Sequence, residues 1–219
     1  MKITALKQGR DNKCHVHVDG RYLLTLHIQE AERLSLSRDR EVTEAQLELW
    51  LLESQTLFAK DYAMSILSRR SISEKELLDK LLRKPHSENV SPEDWQQAAE
   101  AAVERMKELG LVDDEDYAGK LARDLSHLRK LGPRRIRQEL IQKGVDRELA
   151  EEAVEELERD PQEDILELLK GKLSRLALAA AEDDPKEKQR LVGRLLRMGY
   201  GYSDIRQAWD LYLEDAEWD

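Results

Sequence analysis

Three groups of side chains in this 219-residue sequence have types and spacings that invite a chemical reading. Cys14, His15 and His17 could offer sulfur and nitrogen to a metal ion. Strand alternation, however, points Cys14 away from both histidines, so the three do not readily share one ion. Asp113-Asp114-Glu115-Asp116 could hold a cation, but the run sits just before a helical stretch. There, carboxylates cap free N–H groups and complement the helix dipole. The third group is cationic: Lys120, Arg123, Arg129, Lys130, Arg134, Arg135, Arg137, Lys143 and Arg147. Clustered Lys and Arg suit contact with phosphates or with an acidic protein surface. A charged helix is more often a solvated face paired with its neighbours, so the local balance decides. Residues 119–147 carry 9 basic and 3 acidic side chains inside a chain of net charge −10. The flanking stretches 1–58, 59–118 and 148–219 sum to −1, −5 and −10. One basic island in an acidic chain points to a local binding role.

Catalytic motifs are missing from the sequence. It has no Gly-rich phosphate loop, no His-Glu-x-x-His and no Gly-x-Ser-x-Gly elbow. Carboxylates are interleaved with Lys and Arg along amphipathic stretches, as on solvated helices. We therefore expect no enzyme, no cofactor and no bound metal. Cys14 is the sole cysteine, which excludes an internal disulfide. No apolar run reaches the roughly 20 residues that span a bilayer, and Met1–Ala5 lacks a leader's hydrophobic region. A soluble cytoplasmic protein is expected.

The elements that must position the cations are mainly helical. Charged residues reach 37% and aromatics only 5%, with Phe58 the lone phenylalanine. Leu and Ala supply the apolar bulk, which favours helices over a β-sandwich. The opening is different. Cys14, Val16 and Val18 alternate with histidines, and Asp19-Gly20 separates them from Tyr22–Leu26, the pattern of a hairpin with a type I′ turn. From Thr43 the period becomes helical. Thr43–Gln46 and Ser73–Glu76 read as capping boxes, and Ser91-Pro92, Gly132-Pro133 and Asp160-Pro161 as helix starts. Gly110, Gly144 and Gly199 read as helix ends.

These signals recur. Asp61-Tyr62-Ala63 returns as Asp116-Tyr117-Ala118. Leu77, Leu81 and Leu82 correspond to Ile136, Leu140 and Ile141, then to Leu191, Leu195 and Leu196. Gly144-Val145 corresponds to Gly199-Tyr200. The expected fold class is mainly α: tandem three-helix-bundle repeats in an elongated array behind a small β-hairpin-containing segment. The division is 1–58 for the N-terminal β-rich segment and a linking helix, then repeats at 59–115, 116–163 and 164–219. Each repeat offers a long first helix, a short second and a third, and the first carries an extra stretch, His86–Val90. Stacked units of this kind share a core and present an extended surface without a deep pocket.

Within residues 111–145 the motifs Asp113-Asp114-Glu115-Asp116-Tyr117-Ala118 and Gly132-Pro133-Arg134-Arg135-Ile136-Arg137-Gln138-Glu139-Leu140-Ile141-Gln142-Lys143-Gly144 occur in order. Together they closely resemble the signature of the RecX family of recombinase regulators, and weaker copies extend the resemblance over about 59–215. The resemblance implies a monomeric regulator in DNA recombination, repair and the SOS response. It would bind the RecA recombinase or the RecA–DNA filament, with no membrane contact and no cofactor. It further implies inhibition of RecA's recombinase, ATPase and co-protease activities.

The residues assigned to partner or DNA contact are Lys120, Arg123, Arg129, Lys130, Arg134, Arg135 and Lys143. If Ile136, Leu140 and Ile141 face the core, then Arg134, Arg135, Gln138 and Gln142 face outward, and Arg137 lies beside the apolar stripe. Gly132, Pro133 and Gly144 read as structural punctuation, and Tyr62 and Tyr117 as packing residues. The competing readings are an independent DNA-binding protein and a helical-repeat scaffold for another client.

Overall fold

The chain is described from a computed structural model covering residues 1–10, 12–84, 90–181 and 184–216. His86–Asn89 of the extra stretch lie outside the described residues. Two compact units divide it after Val112.

The first unit opens with a three-stranded antiparallel sheet of order β1-β2-β3: β1 (Ile3–Gln8), β2 (Lys13–Val18) and β3 (Arg21–His27). The expected hairpin is β2–β3, and Asp19 and Gly20 at its turn have φ of 47° and 83°, as the type I′ turn requires. Alternation sends Cys14, Val16 and Val18 to the core and leaves His15 and His17 on the other face. β1 was not anticipated, because Thr4, Lys7 and Gln8 hide the apolar pattern of Ile3 and Leu6. It pairs with the far edge of β2, with Leu6 opposite Val16. A short helix, α1 (Ile28–Arg33), follows.

Helix α2 (Glu44–Leu67) begins with the expected capping box: Thr43 Oγ1 accepts the Gln46 N–H at 3.2 Å, and Gln46 Oε1 accepts the Thr43 N–H at 3.0 Å. It runs unbroken through residue 58, so one helix serves two cores. Leu47 and Trp50 close the sheet core with Ile3, Val16 and Leu24. Ala59 and Ala63 enter a second core with α3 (Glu74–Leu82) and α4 (Pro92–Glu108). Ala59, Ala63, Ala98, Ala99 and Ala102 are all fully buried there, and faces of bare methyls let helix axes approach closely. Trp95 fills this core and donates its indole N–H to the Leu81 carbonyl at 3.2 Å.

The second unit contains two cores. The first joins α5 (Asp114–His127), α6 (Pro133–Gln142) and α7 (Arg147–Glu155) around Ala118, Ala122, Leu125, Ile136 and Leu140. The second joins α8 (Pro161–Lys170), α9 (Ser174–Ala181), α10 (Pro185–Arg197) and α11 (Tyr202–Ala216) around Ile165, Leu169, Ala177, Leu191, Leu195 and Tyr200. The long first helix expected for this repeat is two helices. Gly171 leaves helical geometry (φ −111°, ψ −103°), and a 2.7 Å bond from the Leu173 N–H to the Leu168 carbonyl tightens the break. α8 packs on α11 and α9 on α10, so the pair performs the packing that α5 alone performs on α7 and α6.

Candidate functional site

The cationic helix α6 is held by its neighbour's backbone. Its N-cap, Gly132, has no side chain to satisfy the first-turn donors. Instead the Gly132 N–H donates to the Met198 carbonyl at 2.8 Å, and the Arg134 N–H to the Gly199 carbonyl at 3.2 Å. A Cβ on Gly132 would come within 2.5 Å of the Gly199 carbonyl carbon, so the two backbones touch because neither residue has a side chain. Gly132 therefore does more than start a helix: it joins two repeats.

Ile136 and Leu140 are buried, and Arg134, Gln138 and Gln142 exposed, as helical spacing predicts, whereas Arg135, expected outward with them, is half-buried. Ile141, expected in the core, is 43% exposed, because it lies one position past the buried stripe. Arg137 is half-buried, 3.8 Å from Glu151. Around α6 the predicted cations differ in their partners. Lys120 pairs with Asp116 at 2.5 Å and Arg135 with Glu139 at 2.6 Å, each one helical turn away on its own helix. Lys143 is exposed. Arg123, Arg129 and Arg134 are exposed, and no carboxylate lies within ion-pair reach of them among the described residues. Leu128, between these cations, is 79% exposed.

Lys130 turns inward. It lies 2.5 Å from Glu167 and 3.7 Å from Asp164, with its side chain only 22% exposed. Arg159 joins the same group, pairing with Asp164 and lying 3.8 Å from Glu167, while its other nitrogen is 3.2 Å from His127 Nδ1. Burial pushes the Asp164 carboxyl above its usual range, against the pull of Arg159 and Lys130. The hydrogen bond from Lys130 holds Glu167 below its usual range. The Tyr200 hydroxyl donates to the Lys130 carbonyl at 3.1 Å, and burial, reinforced by Asp164, pushes the phenol well above its usual range. Lys130 thus links α5 to α8 and the α10–α11 turn.

Tyr200 supplies a pH test. An unfolded tyrosine ionises near pH 10, about its ordinary value. The folded phenol resists ionisation, so its contribution to stability is complete below that pH and is lost as pH rises beyond it. Tyr200→Phe should flatten this alkaline loss and cost about 1 kcal/mol at neutral pH through the missing hydrogen bond. Urea unfolding at neutral and alkaline pH checks both. An unchanged alkaline limb would contradict the burial of this hydroxyl.

The acidic motif behaves as a cap: Asp113 Oδ1 accepts the Asp116 N–H at 2.9 Å. Tyr62 and Tyr117 are half-buried against the cores of their own repeats.

Sequence reasoning missed a second basic helix. α10 carries Lys186, Lys188, Arg190, Arg194 and Arg197 against Glu187 alone, a local balance of +4 inside the stretch that sums to −10. All five cations are exposed. By repeat correspondence α10 is the counterpart of α6. A window of one helix, rather than one repeat, would have found it.

Small helical units, each built around its own apolar core, define a helical-repeat protein. Among the described residues no helix is long and apolar enough to cross a membrane. The profile of the RecX second three-helix domain matches residues 113–154. The regulatory protein RecX of Clostridioides difficile (strain 630) is 29% identical across 99% of this chain and 98% of its own length. That of Mycolicibacterium smegmatis is 33% identical across 66% of this chain and 74% of its own. A crystal structure of regulatory protein RecX superimposes with a TM-score of 0.66 at 22% identity, covering 95% of this chain and 98% of that one. The RecX structure from Lactobacillus salivarius gives 0.60 at 24%, covering 72% and 96%. The chain belongs to the RecX family of regulatory proteins, which is not a family of enzymes.

Proposed function

We propose that this protein regulates the RecA recombinase by binding RecA or the RecA–DNA filament, inhibiting its strand exchange, ATPase and co-protease activities in the cytoplasm. The observation that carries the reading is the set of exposed arginines Arg123, Arg129 and Arg134, uncompensated by nearby carboxylates in an acid-rich chain. Arg135 and Lys143 extend this surface along α6, and Lys120 flanks it on α5. Lys130 supports it from within rather than contacting the partner. The repeats at 59–115, 116–163 and 164–219 act as successive contact units. A filament offers identical sites at fixed intervals, so weak contacts from linked units add through effective concentration. The protein works as a monomer.

Arg134→Glu with Arg135→Glu should abolish suppression of RecA's DNA-dependent ATPase while leaving the helical circular-dichroism signal intact. Full suppression by the folded double variant would remove α6 from the mechanism. The same unpaired arginines favour a second reading, a DNA-binding protein that acts without the recombinase. Titrating single-stranded DNA with and without RecA separates the two, because tight, salt-sensitive binding in RecA's absence supports the second.

A further inference from the structure

We infer that the groove between the N-terminal sheet and α2 is a binding site for the adenosine part of a free nucleoside or nucleotide. Its volume is about 330 Å³, within the range of small-molecule sites. One wall is sheet. Register sets Lys13 opposite His27 and His15 opposite Thr25, so these four share the face turned away from the core. The other wall is α2, where Gln55, Phe58 and Asp61 line the groove at intervals of three residues. Both walls belong to the first unit.

Gln55 is the observation that calls for a ligand. It is only 7% exposed, and its amide makes no hydrogen bond to any described residue. A buried amide without a partner weakens a fold. The hydroxyls beside it are satisfied: Ser54 Oγ donates to the Thr25 carbonyl at 2.6 Å, and Thr25 Oγ1 lies 2.7 Å from His15 Nδ1. Gln55 therefore keeps N–H donors and a carbonyl acceptor for whatever fills the groove. Phe58 is the second observation. It remains 37% exposed although its ring centroid lies 6.0 Å from that of Trp95. A side-chain amide matches the paired acceptor and donor, N7 and N6–H, on the edge of adenine. An aromatic ring accepts the face of a base. Gln55 and Asp61 are about 9 Å apart along the helix axis. A base held at Gln55 therefore brings its ribose toward Asp61, whose carboxylate accepts sugar hydroxyls. Charge favours the nucleoside over its phosphates. Asp61 Oδ2 is 3.1 Å from His27 Nε2 and 4.0 Å from Lys13 Nζ, so these basic groups already face an anion. A phosphate chain gains little there and extends into solvent.

The test titrates adenosine, AMP, uridine and inorganic phosphate separately into the full chain by calorimetry. Adenosine and AMP should bind comparably, and uridine about tenfold more weakly for want of the matching base edge. Gln55→Leu should weaken adenosine binding by about tenfold. It should also raise the melting temperature, because an apolar group of similar size replaces the unpartnered amide. Simple damage to the fold cannot produce that pair of opposite signs. Phe58→Leu should weaken binding roughly tenfold through lost stacking. In a proton NMR titration adenosine should shift the ring signals of His15 and His27. The proposal is overturned if the parent binds neither adenosine nor AMP, or binds uridine equally well. It is also overturned if either variant binds adenosine as the parent does, or if the two histidines do not respond. Phosphate that displaces adenosine would show that an anion, and not the base, is held. None of these readouts involves RecA, so their failure leaves the proposed function untouched.

Discussion

Gly199→Ala is expected to destabilise the half of the chain from Asp113 onward by about 3 kcal/mol, combining left-handed strain of ~1–2 with overpacking of ~1–3. Gly199 has a φ of +97°, and a Cβ there would lie 2.4 Å from both the backbone nitrogen and the Cβ of Arg135. The intruding atom meets the first turn of α6, which cannot move without breaking the Arg134 N–H bond to the Gly199 carbonyl. Gly110 provides the control. It also has a left-handed φ, +66°, but an added Cβ would meet nothing within 4 Å. Gly110→Ala therefore carries the strain without the collision, at about 1–2 kcal/mol. Urea denaturation followed by circular dichroism measures both. If Gly199→Ala costs no more than Gly110→Ala, the close contact between α6 and the α10–α11 turn is not real.

That contact marks a boundary between what the sequence reveals and what only folding brings together. The Asp19-Gly20 hairpin, the Thr43 capping box and the Asp113 cap rest on interactions within a few residues, so residue types suffice to read them. The repeat was equally legible, because Leu77, Ile136 and Leu191 recur at corresponding buried places. The fate of Lys130 was not. Its partners Asp164 and Glu167 lie more than thirty residues away, and every residue in its own neighbourhood suggested an open basic surface. Gly132 shows the same limit. Its role as a helix start is local, but its service as a passage for the Gly199 backbone depends on a different repeat. β1 was obscured because its edge position leaves half of its side chains polar. α10 was hidden by averaging, since five cations vanished among the carboxylates of the helices around it. For the candidate site this means that residue types located the charge, while long-range pairing decides which charges remain available to a partner.

The same pairing yields a prediction about stability. Arg159→Ala should cost about 3 kcal/mol at neutral pH, the scale for removing one partner from a buried ion pair. Asp164 is only 4% exposed, and Arg159 and Lys130 are the two cations facing it. Burial already raises its carboxyl above the usual range with both present, so desolvation outweighs their attraction. Without Arg159 the folded-state value rises further, while the unfolded value is unchanged. The anion is then penalised only in the folded protein, and the penalty lasts while the pH stays above the raised folded value. As pH falls through that value Asp164 takes up a proton and the penalty disappears. The stability gap between parent and Arg159→Ala should therefore narrow on acidification. Glu167 contributes little to this change, because its side chain is 63% exposed and water screens it. Arg159→Ala with Asp164→Asn should recover much of the loss at neutral pH, since the isosteric amide leaves no buried charge behind. Urea unfolding of the two variants and the parent from neutral to mildly acid pH measures each effect. A loss that is constant across that range, or that the second substitution deepens, would show that Arg159 supports the joint by packing and not by neutralising Asp164.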